Sequence, residues 1–393
     1  MTSLLPRPAR SRGATPGHPL APRCEGDPSD CDTVGGTPGD TAQVWRGRGA
    51  RSNAAGRYEP VQRDGFDEGW GRDDRVQMVP TVVTHERVRT IISRNDSPDI
   101  SFDRSINPYR GCEHGCIYCY ARPTHAYLGL SPGLDFESRI IAKENAAEAL
   151  RQEFAAPGYR PSTIALGAVT DPYQPVERQM RLTRAILELL NEAKHPVGIV
   201  TKSALIARDI DLLQPMASEG LVKVAVSITT LDRKLARSME PRAATPARRL
   251  ETVERLAAAG IPVTVMMAPI IPGLNDHEIE RLLEAAAGAG AATAGYVLLR
   301  LPLELKDLFQ EWLATDHPDR AKRVMSLVRQ TQGGRDYRSE FGLRQRGSGP
   351  IADLIARRFG SARQRWGLAE RQAKLRCDLF KPPGRESAQL TLL

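Results

Sequence analysis

Short apolar runs alternate with longer amphipathic stretches from about residue 100 onward. The runs read SINPY, STIALGAV, VGIVTK, VKVAVSI, PVTVMMAPI and YVLLRL, and a further short run, IIAKE, precedes the first amphipathic stretch. Runs that are apolar nearly throughout are typical of strands buried on both faces of a sheet. We therefore predict six main strands and one short additional strand.

The stretches between these runs have helical periodicity. In VERQMRLTRAILELLNEAK, for example, Val176, Met180, Leu187 and Leu190 fall on one face. Strands that alternate with helices form βαβ units, and right-handed crossovers make the strands parallel. The pattern predicts an α/β fold: a partial (β/α)6 barrel of the TIM type with parallel strands, over residues 80–301.

The flanks differ in composition from the predicted barrel. Residues 1–79 are dominated by Gly, Pro, Arg, Asp and Ser, so we predict a disordered N-terminal extension. We predict a basic helical C-terminal extension over residues 302–380 and a flexible tail over residues 381–393. Within the first flank, WRGRGARSNAAGRYEP interleaves arginines with Trp45 and Tyr58. This segment is either a solvated tail or one that holds single strands by charge and stacking.

Composition narrows the class of protein. Of the 393 residues, 41% are hydrophobic and 26% are charged, which is ordinary for a soluble globular protein. No apolar run approaches the roughly 20 residues that cross a bilayer, so we expect no membrane association. No apolar stretch follows Arg7, Arg10 and Arg12, so the beginning of the chain does not resemble a secretory signal. We expect a cytoplasmic protein, in which disulfides are rare.

The net charge of +8 favours a polyanionic partner. Residues 320–376 contain fifteen Lys or Arg but only four Asp or Glu. Within this span, GPIADLIARRFGSARQRW places Ile351, Leu354, Ile355 and Phe359 on one helical face. A genome with GC-rich codons produces the same excess of arginine, so we discount part of it. The remaining excess predicts a surface that faces nucleic-acid phosphates.

Three of the six cysteines lie within eight residues. Cys112, Cys116 and Cys119 have the spacing C-x3-C-x2-C and follow the first predicted strand, in a loop that contains Gly111 and Gly115. Active sites in parallel α/β folds gather at the carboxyl ends of the strands. The cysteines therefore lie where chemistry is expected.

Three interpretations of the cysteine cluster compete. Disulfides would leave an odd thiol and conflict with the expected compartment. A structural zinc site needs four ligands, so His114 or His125 would have to complete it. Three thiolates on a cubane of four irons would leave the fourth iron free to bind a small molecule, which fits the spacing best.

The spacing, the aromatic residue before the last cysteine and the position after the first barrel strand resemble the radical S-adenosylmethionine (SAM) superfamily. The strings NPYRGCEHGCIYCYAR and TDPYQPVE further resemble the bacterial group related to spore photoproduct lyase, labelled "DNA repair photolyase". The resemblance covers about residues 81–301. It implies that Cys112, Cys116 and Cys119 hold a [4Fe–4S] cluster whose open iron binds SAM. It also implies one-electron cleavage of SAM, hydrogen abstraction from a substrate and a donor such as flavodoxin or ferredoxin.

The resemblance also assigns the rest of the SAM site. Where many relatives have Gly-Gly-Glu, Asp171 or carbonyls near Thr170 would bind the methionine amine, although an Asx-Pro turn explains the same residues. Lys202 would contact the carboxylate. Ser227 and Thr229 would donate to the ribose.

Two tyrosines complete the predicted catalytic set. Tyr118 matches the aromatic residue beside the adenine, and Tyr118 and Tyr120 match the tyrosines that relay hydrogen in spore photoproduct lyase. The cysteine that returns hydrogen in that enzyme has no counterpart between Cys119 and Leu301, and Cys377 is the substitute we consider. The matching hydrogen donor for reversal of a thymine dimer by the same route is therefore missing.

Four residues near the ends of later elements also have predicted roles. Met266 and Met267 are predicted to be core residues, and Glu240 and Arg242, in MEPRA, are predicted to close the site with polar groups. Cys24 and Cys31, in the first flank, are predicted to be spectators.

The final QLTLL, residues 389–393, resembles the peptide by which bacterial repair proteins bind the sliding clamp. Gln389 would be the anchor, and the apolar residues up to Leu393 would fill a groove. We predict a radical SAM enzyme that acts on nucleic acid, in lyase-like DNA repair or modification. A radical SAM enzyme for a protein or small molecule is the alternative, followed by a non-catalytic zinc module that binds nucleic acid.

Overall fold

The structure is a computed structural model that describes residues 45–59, 79–370 and 374–384. The predictions for Cys24, Cys31 and residues 389–393 lie outside these ranges. None of the described helices is long and apolar enough to span a bilayer.

The described residues contain ten strands. They are β1 (Val82–Glu86), β2 (Ile92–Arg94), β3 (Arg104–Ile106), β4 (Tyr109–Arg110), β5 (Arg139–Lys143), β6 (Ile164–Leu166), β7 (Val197–Thr201), β8 (Val222–Ser227), β9 (Val263–Ile270) and β10 (Thr293–Leu298). The α-helices are α1 (Leu134–Ser138), α2 (Ala146–Phe154), α3 (Glu177–Met180), α4 (Leu182–Glu192), α5 (Ile210–Ser218), α6 (Arg233–Met239), α7 (Pro246–Ala258), α8 (Ile279–Gly288), α9 (Leu305–Asp316), α10 (Pro318–Thr331) and α11 (Pro350–Arg365). Short 3₁₀ helices cover Arg122–Leu128, Ala204–Asp209 and Asp276–Glu278.

Six parallel strands form the wall of a partial barrel. Strands β3, β6, β7, β8, β9 and β10 pair in that order, and β2 adds to the outer edge of β3 in the antiparallel sense. Apolar pairs set the register, with Val197 opposite Val222 and Val224 opposite Val263. The predicted parallel α/β barrel is therefore confirmed.

The first predicted strand, SINPY, is divided between two sheets. β3 belongs to the barrel, whereas β4 pairs antiparallel with β5, which in turn pairs parallel with β1. Pro108, between β3 and β4, has no N–H to donate, and its carbonyl accepts from the Lys143 N–H at 3.0 Å. The chain thus leaves the barrel wall before it enters the cysteine loop.

The long helix predicted after the second strand is also divided. Arg181 has a φ of +53° between α3 and α4. Leu187 and Leu190 on α4 are fully buried in the barrel core, but Val176 and Met180 pack with Tyr109 beside the small sheet. The apolar stripe therefore serves two different clusters.

The C-terminal helices contribute side chains to two hydrophobic clusters of the barrel domain. Phe309 and Trp312 of α9 pack with Ile117 and Tyr118 of the cysteine loop. On α11, Ile355 and Phe359 join the main core. The predicted apolar face of α11 is wrong at Leu354, which is 45% exposed because the buried stripe of that helix follows Ile355 and Phe359.

Residues 45–59 correct the prediction of disorder for residues 1–79. Arg48 donates to the Glu137 carbonyl at 2.6 Å, and Arg51 forms a two-pronged pair with Asp316 at 2.7–3.1 Å. We call residues 45–59 the N-terminal strap. Composition predicted disorder because it counts apolar area, whereas this segment is held by charge-assisted hydrogen bonds to buried carboxylates and carbonyls.

A second segment crosses the amino ends of the strands. The backbone N–H groups of Ala369, Arg376 and Lys381 donate to carbonyls just before β10, β8 and β7, respectively. Phe380 then packs edge-on against Phe154 and His195. Cys377 therefore lies at the end of the barrel opposite the cysteine loop.

The packing of α11 predicts a contrast between two truncations. Phe359→Ala removes a 2% exposed ring that contacts Tyr296 at a centroid distance of 4.7 Å. We expect it to lower the free energy of unfolding by about 3–5 kcal/mol, and Leu354→Ala on the same helix to lower it by about 0.5 kcal/mol or less. Denaturant unfolding monitored by circular dichroism measures both, and equal effects would contradict the shared core.

Candidate active site

The cysteine loop follows β4 and turns at two glycines. Gly111 has a φ of +78°, and a Cβ there would lie 2.9 Å from the Phe136 carbonyl. The next residue, Cys112, donates its N–H to that same carbonyl at 2.9 Å. Gly115 has a φ of +67° and faces the Glu137 carboxylate. Glycine is required because the loop approaches neighbouring groups so closely.

Two other loops supply hydrogen bonds that the cysteine loop lacks. The Gln174 side chain accepts from the Glu113 N–H at 2.9 Å and donates to the Gly111 carbonyl at 3.2 Å. The Ile117 N–H donates to the Met239 carbonyl at 3.0 Å. The segments TDPYQPVE and MEPRA thus hold the cysteine loop from two sides.

A fully buried ion pair lies beneath the loop. Arg122 donates to the Cys116 carbonyl at 2.9 Å and to the Gly115 carbonyl at 3.1 Å, and it pairs with Glu137. The Glu137 carboxylate also accepts the N–H groups of Gly49 and Ala50, each at 2.8 Å. One carboxylate therefore joins the N-terminal strap to the cysteine loop.

The three thiols suit a cationic cluster. Cys112 and Cys116 are 7% exposed, Cys119 is half-buried, and all three are free. Burial raises the pKa of Cys112 well above its usual range, and the negative charges of Asp171 and the other thiolates raise it further. Burial likewise raises the pKa of Cys116 to about 12. Thiolates in this position need a compensating positive charge, which iron ions supply.

Each histidine proposed for the zinc alternative already uses one ring nitrogen in a contact with another group. His114 Nδ1 lies 3.3 Å from an oxygen of Asp171. His125 Nε2 lies 3.1 Å from the Arg139 carbonyl, and burial lowers the pKa of His125 to about 4. His125 Nδ1 has no hydrogen-bond partner among the described residues, so the geometry alone leaves the zinc alternative open.

A buried polar network lies beside Cys116. The Tyr118 hydroxyl contacts Thr229 Oγ1 at 3.1 Å and donates to Glu240. Thr229 donates to Glu240 at 2.5 Å, and Arg249 pairs with Glu240 and donates to the Ser227 carbonyl at 2.9 Å. Burial by itself would raise the pKa of Glu240, but the charges of Arg249 and Lys202 lower it to about 2. Glu240 is therefore ionised inside the barrel.

Lys202 extends from the carboxyl end of β7 toward the same network. Its Nζ lies 5.6 Å from the centroid of the Tyr118 ring. Burial opposes its charge, but the negative charges of Cys116 and Glu240 raise the pKa of Lys202 above its usual value. A half-buried, charged lysine is thus placed next to a cysteine and an aromatic ring.

Asp171 forms the turn that the alternative interpretation describes. One of its oxygens accepts the Tyr173 N–H at 2.9 Å and the Thr201 hydroxyl at 2.7 Å, and the other accepts the Lys202 N–H at 2.7 Å. Burial alone would raise the pKa of Asp171, but His114 and these donors lower it to about 2. Asp171 therefore orients Lys202, and its predicted contact with an amine remains a prediction.

Tyr120 faces outward beside Cys119. The side chain is 47% exposed, its hydroxyl donates to the Ala168 carbonyl, and Arg300 lies over the ring at 5.1 Å. Arg300 Nε is buried and has no hydrogen-bond partner among the described residues. Sequence reasoning missed Arg300, since a single arginine after the last strand carries no local signal.

Some of the predicted site residues lie together near the thiols, and the others are engaged in contacts elsewhere. The structure brings Cys112, Cys116, Cys119, Tyr118, Lys202 and Thr229 together at the carboxyl ends of the strands. Ser227 lies at the same level, but its hydroxyl donates to the Ala268 carbonyl at 3.3 Å. Met267 is a core residue as expected, and Arg242 pairs with Glu113 at 3.0 Å. Arg249, in the amphipathic helix α7, was missed because its pattern is that of a solvated charge.

Comparison with known proteins begins with the fold. Spore photoproduct lyase, solved in complex with dinucleoside spore photoproduct, matches with a TM-score of 0.52 and 15% identity, over 73% of this chain and 80% of that one. This likeness establishes that the barrel with its appended helices has the same fold. The class of protein is therefore a partial (β/α) barrel with a three-cysteine loop after its first strand.

Sequence comparison identifies the family. The model of the radical SAM superfamily matches residues 106–286. An uncharacterized protein of Mycobacterium tuberculosis is 39% identical over 232 residues, which are 58% of this chain and 68% of that protein. The radical SAM Nα-GlyT isomerase of Pseudomonas phage M6 is 25% identical over 240 residues, 58% of this chain and 46% of the isomerase. The chain belongs to the radical SAM superfamily and is a radical SAM enzyme.

Membership in the radical SAM superfamily decides between the iron–sulfur enzyme and the zinc module. The predicted cofactors, a [4Fe–4S] cluster and SAM, are those with which this class of enzyme works, and that prediction is confirmed at the level of the class. The non-catalytic zinc module is set aside. The roles of the individual site residues remain predictions.

The contact between the strap and the cysteine loop can be tested at Gly49. A Cβ at this position would lie 1.9 Å from the Gly115 carbonyl oxygen. We expect Gly49→Ala to displace the loop at a cost on the order of 1–3 kcal/mol, and to lower the iron bound per chain after anaerobic reconstitution. Gly360→Ala on α11, where a Cβ meets open space, is the control and should retain full iron content. Normal iron content in both variants would refute a role for the strap.

Proposed function

We propose that Cys112, Cys116 and Cys119 hold a [4Fe–4S] cluster and that SAM binds beside them, toward Lys202 and the Tyr118–Thr229–Glu240 network. The observation that carries this proposal is the convergence of three free thiols, of which two are buried and that of Cys119 is half-buried, with a charged lysine at the carboxyl ends of the barrel strands. When bound, the cluster and SAM supply one-electron chemistry that removes a hydrogen atom from a substrate.

The chain's own residues would prepare this site for an ionic cofactor. Lys202 is the cation that would meet a carboxylate, and Thr229 would donate to a ribose hydroxyl by exchanging its present hydrogen bond to Glu240 for one to the nucleoside. Ile117 and Tyr118 pack against Phe309 of α9, which closes one side to water. We still include Asp171 and Ser227 in the proposed SAM site, where they would lie at its edge.

Removal of one thiol tests the assignment. Cys116→Ala should abolish the release of 5′-deoxyadenosine from SAM after reconstitution and reduction with dithionite, because one corner of the cluster loses its ligand. Cys377→Ala, at the opposite end of the barrel, is the control and should release the nucleoside at the wild-type rate. Nucleoside release is measured by liquid chromatography. Unchanged release by Cys116→Ala would refute the ligand set.

For the substrate, we propose a nucleic acid, with DNA repair or modification as the reaction class. Spore photoproduct lyase, whose fold this chain shares, binds a dinucleoside photoproduct. The phage relative bears the name radical SAM Nα-GlyT isomerase. The exposed Tyr120, next to Cys119, is the proposed hydrogen-relay residue on the substrate side, with Tyr118 behind it. A flavodoxin or ferredoxin is the proposed electron donor, and residues 389–393 the proposed clamp-binding peptide.

The basic C-terminal helices offer a specific surface for the phosphates. Six arginines in residues 320–376 pair with carboxylates among the described residues, namely Arg329, Arg338, Arg344, Arg358, Arg363 and Arg376. Arg320 and Arg323 instead line a groove of about 450 Å³ between α10, α11 and the loop after β9. This groove opens beside a loop at the carboxyl end of a barrel strand, so we assign it to the phosphate backbone.

Salt dependence tests this surface. The variant Arg320→Gln/Arg323→Gln should weaken binding to single-stranded DNA and flatten the slope of log affinity against log salt by about 0.7 for each phosphate that the variant no longer neutralises. Arg358→Gln removes a charge that Glu280 already neutralises at 2.6 Å, so its slope should change less. Fluorescence anisotropy over a salt series gives both slopes. Equal slopes in all proteins would remove the groove from the proposal.

A further inference from the structure

Two large aromatic side chains are exposed on one side of the barrel mouth, by which we mean the end of the barrel formed by the carboxyl ends of its strands. Tyr58 of the N-terminal strap is 58% exposed, and Tyr127, in the 3₁₀ helix after the cysteine loop, is 70% exposed. Their rings stack with a centroid distance of 5.4 Å and an interplanar angle of 29°. Solvent-exposed rings are individually common, but a stacked pair drawn from two distant chain segments is a built feature.

An arginine completes the pair as a third planar group. Arg57 Cζ lies 5.2 Å from the Tyr58 centroid and 5.5 Å from the Tyr127 centroid. Both oxygens of Glu304 accept from Arg57 Nη1, at 2.7 and 2.9 Å, which fixes the guanidinium in place. We call Arg57, Tyr58 and Tyr127 the aromatic platform.

The platform is rigid because its backbone supports are buried or hydrogen-bonded. Gly56 packs against Ala126, the fully buried neighbour of Tyr127: a Cβ at Gly56 would lie 3.2 Å from the Ala126 Cβ. The Ala54 carbonyl accepts from the Ser131 hydroxyl at 2.5 Å. The rings are thus held in position before any ligand arrives, which lowers the entropy cost of binding.

The platform belongs to the same end of the barrel as the thiols. Tyr127 lies in the helical turn that starts at Arg122, whose guanidinium donates to the Cys116 carbonyl. Glu304, which holds Arg57, immediately precedes α9, and Leu305 of that helix packs in the cluster that contains Cys116. A ligand on the platform would therefore lie at the same end of the barrel as a substrate near the thiols.

From this geometry we propose that the aromatic platform is a stacking subsite for an unpaired nucleobase that flanks the reacting nucleotide. Planar tyrosine and guanidinium groups stack on bases of any sequence, and each such contact contributes substantially to single-strand affinity. The proposal rests on the proposed nucleic-acid substrate and adds a second contact point outside the reaction site. The proposal is narrower than the prediction from the sequence that the whole segment holds single strands by charge and stacking. Arg48 and Arg51 cannot contribute to such binding, because they form a hydrogen bond and an ion pair within the protein.

The test measures affinity of the reconstituted full-length holoenzyme for a fluorescein-labelled single-stranded DNA of about fifteen nucleotides, a length within the range of known single-strand sites. Tyr127→Ala should weaken binding about ten-fold, and Tyr127→Phe, which keeps the ring, should stay within about two-fold of wild type. Tyr127→Leu keeps apolar volume but loses the plane, so it should behave like Tyr127→Ala. Iron content and melting temperature confirm that each variant is folded.

A second residue makes the outcome specific to stacking. Tyr58→Ala should cause a similar loss, and the double variant should lose less than the sum of the two, because the Tyr58 ring acts by holding the Tyr127 ring on which the base stacks. Wild-type affinity in Tyr127→Ala would overturn the platform while leaving the nucleic-acid substrate in place. Wild-type affinity in Tyr127→Leu would overturn stacking and indicate a generic apolar contact, as with a protein partner. Failure of the unmodified holoenzyme to bind single-stranded DNA or RNA would overturn both proposals.

Discussion

Three thiols can be presented together only if the loop that carries them is held by the rest of the molecule. The loop turns at Gly111 and Gly115, so its own backbone forms no regular ladder. Its carbonyls and N–H groups are instead satisfied by the buried Arg122, by Gln174 and by the carbonyl of Met239. Unpaired backbone groups in the interior are costly, so these side chains are part of the site although none of them bears the chemistry.

Charge compensation is the second condition on the site. Asp171 and Glu240 are ionised within the barrel, and their partners are Lys202, Arg249 and the donors around them. Buried charges of this kind persist only where each has a partner, so the positions of acids and bases are coupled across the three neighbouring strands β6, β7 and β8. The thiols are the exception, since burial disfavours their charged form and the surrounding cations compensate only part of it. A cationic cluster completes this balance.

Local patterns predicted those features that depend on local physics. Strand runs, parallel order and the carboxyl-end position of Cys116 follow from hydrophobic periodicity and the geometry of βαβ units. What could not be predicted depends on partners distant in sequence. Gly49 meets Gly115 and Glu137 only after folding, so an arginine–glycine segment that reads as disordered becomes a strap. Arg249 reads as one charge among many on α7, although it is 1% exposed and neutralises a carboxylate.

The folded structure also determines which of the predicted catalytic residues can face a substrate. Tyr118 is committed to Glu240 and Thr229 in the interior, whereas Tyr120, two residues later, projects to the surface with Arg300 over its ring. Cys377 lies across the amino ends of the strands, a barrel length from this mouth, so it is badly placed to return hydrogen to a substrate there. Tyr120 is the member of the predicted pair that combines exposure with proximity to Cys119. A substrate would therefore contact the outward face of the cysteine loop rather than its buried network. We expect relatives with another substrate to differ from this chain on that face.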